Sequence, residues 1–83
     1  MSKKEKLIKR IKAKPNDFTY DDAEALILAL GFSKSTGGKT SGSRTRFIYE
    51  NAPLVIHKPH PRKELLPYQI NDILDFLEGK DLI

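Results

Sequence analysis

Cysteine is absent from the 83 residues, which excludes a disulfide frame and a thiolate zinc site. Histidine occurs only twice, too few for an all-histidine structural metal site. No apolar run approaches the ~20 residues needed to cross a bilayer. The lysine-rich N-terminus is not followed by the apolar stretch of a secretory signal. The expectation is a soluble cytoplasmic protein with no membrane partner. Neither a Ser–His–acid arrangement nor a paired-carboxylate one can be argued from the spacing. A mass of 9.4 kDa leaves chain for one small domain.

What the sequence does have is charge, unevenly placed. The formal net charge is +4 and the sequence pI about 9.4, a balance that permits an anionic partner without demanding one. Met1–Lys14 carries seven basic residues and one acidic, and Lys39–Lys63 carries six and one. Between and after them, Pro15–Gly38 has one basic and four acidic residues, and Glu64–Ile83 has one and five. The small total therefore conceals two basic segments of +6 and +5 separated by acidic ones. Each block alone reads as a solvated face; two converging on one surface would read as a site for a polyanion.

Periodicity assigns the elements. Leu7, Ile8 and Ile11 give Lys3–Lys12 the spacing of a short amphipathic helix, closed by Lys14-Pro15-Asn16. Thr19 with Asp22 three positions on has capping-box spacing. Ala23, Leu26, Ile27 and Leu30 then form one apolar face, with Gly31 as a left-handed stop and Phe32 folding back. Tyr20–Leu30 is predicted as a helix. Phe32–Ser35 reads as a short strand, and Ser43–Glu50 alternates like one, with Thr45, Phe47 and Tyr49 opposite Arg44, Arg46 and Ile48. Asn51-Ala52-Pro53 is read as a turn in a longer hairpin loop before a strand at Leu54–His57. Pro59 and Pro61 end regular pairing. Pro67 suits the first position of a helix carrying Leu66, Ile70, Ile73, Leu74 and Leu77, closed by Gly79. The expected architecture is α+β, with helices on one face of a three-stranded antiparallel sheet. Residues 1–14 form a basic N-terminal helix, 17–79 the domain and 80–83 a tail.

The loop Thr36–Gly42 invites comparison with a phosphate-binding loop. Gly38-Lys39-Thr40 matches the ending, but Ser33 stands where the first glycine belongs, and no helix follows. A hairpin connection is the better reading. His57 and His60 flank Lys58-Pro59, and Lys58, Arg62 and Arg44 are nearby. Metal-independent RNA cleavage needs a base for the 2′-hydroxyl, an acid for the leaving oxygen and cations at the phosphate, and these residues contain those types. On an extended segment the two rings fall on opposite faces, so a cooperating pair requires a turn at Pro59. Arg44, Arg46, Lys58, Arg62 and Lys63 make a candidate phosphate-binding set, since each guanidinium offers a planar fork of donors. The competing reading pairs them with Glu50 or Glu64.

Three stretches in order are similar to the HicA family of bacterial toxins. They are Gly42-Ser43-Arg44-Thr45-Arg46-Phe47, then Val55-Ile56-His57-Lys58-Pro59-His60-Pro61-Arg62-Lys63-Glu64-Leu65, and then the Pro67 helix. Asp17-Phe18-Thr19-Tyr20 with the helix to Leu30-Gly31-Phe32 resembles that family's first helix. The resemblance runs from Asp17 to Leu77, and the proline–histidine–proline segment is its most specific part. It implies a fold like the double-stranded-RNA-binding domain, α-β-β-β-α, with residues 1–14 as an addition. It also implies a toxin that cleaves mRNA without a metal or other cofactor and is silenced by a HicB-type antitoxin. The family pattern usually reads glycine–serine–histidine at the second strand, with that histidine taken as catalytic; here the matching position is Arg44. Arginine stays protonated to about pH 12, so it is no general base, though it binds phosphate or a developing oxyanion. Proton transfer then falls to His57 or His60, with Arg44 stabilising charge. Alternatively, the chain is a non-catalytic RNA-binding module.

Overall fold

The computed structural model describes residues 2–35, 44–59 and 61–83, with Arg44 described by its backbone. It contains α1 (Lys3–Lys12), α2 (Tyr20–Ala29), β1 (Ser33–Ser35), β2 (Arg44–Tyr49), β3 (Ala52–His57) and α3 (Pro67–Gly79). The strands form an antiparallel sheet in the order β1-β2-β3, so β3 is an edge strand. This is an α+β fold. The expected loop at Thr36–Gly42 and the His60 site lie outside the described residues.

The signals at α2 act as the sequence implies. Thr19 Oγ1 accepts from the Asp22 N–H at 3.1 Å, and the Asp22 carboxylate accepts from the Thr19 N–H at 3.2 Å. Ala23, Leu26 and Ile27 are buried, and so is Tyr20. Gly31 takes φ +105°, which a side chain rarely tolerates, and the Phe32 N–H returns to the Ile27 carbonyl. Phe32 then packs against Tyr49 and Phe76, with ring centres 5.1 and 6.0 Å away.

α1 belongs to the same core. Leu7 and Ile11 are buried with Phe18, Leu26, Phe47 and Leu77. Arg10 fastens the helix from the polar side. Its guanidinium donates to Asp22 at 3.1 Å and Asp17 at 3.3 Å, and stands 5.2 Å from the Phe18 ring centre. Burial raises the Asp22 pKa, but the Thr19 N–H, the Arg10 guanidinium and the Thr19 hydroxyl together outweigh it. The net shift is downward from 3.8. The stability Asp22 contributes is complete above that ordinary value and is lost as pH falls through the lower folded one. Urea unfolding below pH 3.8 is therefore expected to show a steeper acid loss for the native chain than for Asp22→Asn.

The hairpin corrects two sequence expectations. Its turn is Glu50-Asn51, both residues at positive φ (48° and 69°), and β3 begins at Ala52 instead of Leu54. A two-residue turn with both positions left-handed matches the twist of the flanking strands, so no longer loop is needed. Pro53 sits inside β3, paired with Ile48. Proline is tolerated there because an edge strand leaves alternate N–H positions facing away from its partner. The end of α3 differs as well: the helix runs through Gly79, Lys80 caps it, and Asp81 takes the positive φ. Leu30 is the cap of α2 instead of its last helical residue.

Candidate nucleic-acid interface

Strand alternation sorts the hairpin into two faces. Phe47, Leu54 and Ile56 are buried towards the helices, and Thr45 and Tyr49 are half-buried with them. Arg46, Val55 and His57 are exposed on the other face. Register places Arg44 opposite His57 and Arg46 opposite Val55. With a two-residue turn closed by Tyr49 and Ala52, the pairs Ile48–Pro53, Arg46–Val55 and Arg44–His57 are the non-hydrogen-bonded ones. Pro53, which has no N–H to give β2, agrees with that parity. Non-hydrogen-bonded partners come closest, with Cα atoms about 4.5 Å apart.

The far end of β3 is held from α3. Gln69 is buried, and its Nε2 donates to the His57 carbonyl at 2.8 Å while its Oε1 accepts from the Leu66 N–H at 2.9 Å. One amide thus ties the first turn of α3 to the strand residue bearing the candidate base. Gln69 stands three positions after Leu66 and so reaches back to that N–H, but with a leucine as N-cap the spacing carries no signal.

Lys58 and Lys63 go elsewhere. After Pro61 the chain returns to the start of α2, where the Tyr20 N–H donates to the Lys63 carbonyl at 3.0 Å and the Leu65 N–H to the Phe18 carbonyl at 2.8 Å. This strap brings Lys63 to a small cleft with Thr19, Tyr20 and Asp21, which Lys58 reaches from the end of β3. Lys58 Nζ stands 5.7 Å from the Tyr20 ring centre, and the Tyr20 hydroxyl is hydrogen-bonded to Thr45 Oγ1. Arg62 is exposed and donates through Nε to the Glu64 carbonyl at 3.2 Å.

The sequence-predicted residues therefore fall into two groups. Arg44, Arg46 and His57 share the end of the β2–β3 ladder, while Lys58 and Lys63 share the cleft at α2 and Arg62 joins neither. Among the described side chains, none of Arg46, Lys58, Arg62 and Lys63 forms an ion pair with Glu50 or Glu64. The ion pairs among the described residues are Arg10–Asp17, Arg10–Asp22 and Lys34–Glu24. Residues that the spacing did not reveal are Tyr20, the ring beneath Lys58, and Gln69.

A family model for the HicA toxin of bacterial toxin–antitoxin systems matches residues 20–77. The chain belongs to the HicA toxin family. The matched stretch begins with α2 and takes in the sheet, the strap and most of α3, so α1 lies outside the HicA-matched segment. The chain has no significant match among curated proteins or among solved structures. Among the described residues, no helix is long and apolar enough to cross a membrane.

Proposed function

We propose that this HicA-family toxin binds mRNA and cleaves it without a metal, and that a HicB-type antitoxin neutralises it in the cytoplasm. The observation that carries this reading is the cross-strand pairing of Arg44 with His57, with Arg46 two residues along the same strand. The register thus brings a residue able to move a proton and a permanently charged one to the same end of the ladder, which supports a reading in which both act on one phosphodiester. In the proposed reaction one histidine takes the proton of a 2′-hydroxyl, whose oxygen bonds to the adjacent phosphorus. The bond from phosphorus to the 5′-oxygen breaks, and a second acid protonates the departing oxygen. His57 and His60 are the candidates for these transfers. Arg44 stabilises the charge gathering on the phosphoryl oxygens. Arg46, Lys58, Arg62 and Lys63 hold the flanking phosphates.

The test is incubation of purified protein with mRNA in EDTA, beside a chain carrying both His57→Ala and His60→Ala. Cleavage by the native chain and none by the double variant is the expected result. Equal degradation by both excludes histidine catalysis.

Arginine at position 44, where HicA sequences usually place histidine, favours a second reading as a non-catalytic RNA-binding module. That reading expects salt-dependent RNA binding, with a slope set by several phosphate contacts. It also expects no growth arrest on expression; arrest lost with Arg44→Ala yet kept when both histidines are replaced leaves it standing as translation blockade.

A further inference from the structure

Three large apolar side chains are well exposed among the described residues: Leu28 at 42%, Val55 at 43% and Tyr68 at 60%. Two of the three, Val55 and Tyr68, line one cleft between the edge of β3 and the first half of α3, together with His57 and Asp72. Tyr68 is the second residue of α3, and Asp72 lies one turn further along the same helix face. An exposed aromatic ring, a carboxylate and an imidazole are thus gathered where β3 ends.

The edge itself limits what can occupy this cleft. By the parity of the ladder, Pro53, Val55 and His57 turn their backbone polar groups away from β2. Pro53 has no N–H, and the His57 carbonyl already accepts from Gln69. Only Val55 keeps both a donor and an acceptor. A peptide strand adding to an edge extends along a continuous row of such groups; here the row is blocked at the His57 carbonyl and lacks an N–H at Pro53, and the adjacent donor and acceptor of Val55 match the edge of a single planar heterocycle. Asp72 repels a phosphate but accepts from ring or amino N–H groups. Tyr68 supplies the face on which such a ring stacks.

We infer that this cleft holds one unpaired nucleobase of the RNA, stacked on Tyr68 beside His57, so that the substrate is single-stranded at the point of attack. This rests on the RNA-binding reading above and goes beyond it by naming the form of RNA taken. A base within a duplex is stacked on both sides and cannot reach the ring, whereas unpaired bases are recognised by stacking and by their hydrogen-bonding edges.

The experiment uses the full chain and a short 2′-O-methyl RNA, which has no 2′-hydroxyl to react, offered single-stranded or paired with its complement. Affinities come from fluorescence anisotropy at one salt concentration, and a 2-aminopurine placed in the strand reports stacking by its quenching. The native chain and Tyr68→Phe are expected to prefer the single strand and to quench the probe. Tyr68→Ala is expected to lose roughly 5- to 150-fold in single-strand affinity, the range of one base–aromatic stack, and to leave the probe bright. Its duplex affinity is expected to be unchanged. Equal single-strand affinity for the alanine and phenylalanine variants overturns the inference and leaves the cleft to a protein partner. Failure of the native chain to bind either RNA at low salt overturns the RNA-binding reading itself and this inference with it.

Discussion

Replacing Arg44 by alanine is expected to slow single-turnover RNA cleavage in EDTA by about 100- to 1,000-fold, the usual loss when one donor to a developing oxyanion is removed. The size follows from placement. Arg44 is the non-hydrogen-bonded partner of His57, the kind of pair at which two antiparallel backbones come closest. Lysine at the same position keeps the charge but offers a point instead of a planar fork, so Arg44→Lys is expected to recover only part of the rate. Arg46→Ala, two pairs further along the ladder, is expected to raise KM with little change in kcat, because it holds a neighbouring phosphate. The contrast between the two variants separates charge stabilisation from binding. Cleavage by Arg44→Ala at the native rate would remove Arg44 from the reaction.

The second large effect is on stability. Ile11→Ala is expected to cost roughly 2–5 kcal/mol, the range for truncating a buried isoleucine in a core that collapses only partly. Ile11 is fully buried, although it stands on a helix outside the family-matched segment. For a domain of this size each kcal/mol moves the thermal midpoint by about 4–8 °C. A drop of that order in calorimetry makes α1 part of the folding unit. A midpoint unchanged by Ile11→Ala would make α1 a separable arm whose lysines serve some other purpose.

These expectations rest on contacts of very different legibility. The start and end of α2 were visible because their signals are local: Thr19 and Asp22 cap within one turn, and Gly31 follows the last turn. The faces of β2 were visible because alternation is local too. The hairpin turn was misplaced for a specific reason. Proline and asparagine are the residues that usually mark turns, so Asn51-Ala52-Pro53 attracted the reading, while the left-handed Glu50 carries no such signal. Pro53 is admitted to a strand only because β3 is at the edge, and strand order is a property of the whole sheet. The candidate site divides the same way. Residue types and the order of Arg44, His57 and Lys63 were legible. The Tyr20–Thr45 and Gln69–His57 hydrogen bonds join residues 25 and 12 apart, and no periodicity encodes them. The unity of the basic segment was an artefact of sequence adjacency. Alternation beyond His57 turns Lys58 towards α2, and chain reversal after Pro61 draws Lys63 there, both away from the face that bears Arg46.

The two-residue turn also bears on the order in which the parts form. Strands joined by so short a loop meet with little closure entropy, and hairpins form in about 1–10 μs. The strap of residues 62–65 against residues 18–20 spans the entire sheet in sequence, and contacts of that range come later in folding. The ladder that sets Arg44 against His57 is assembled first on this timetable, and the lysine cleft exists only once the strap has closed.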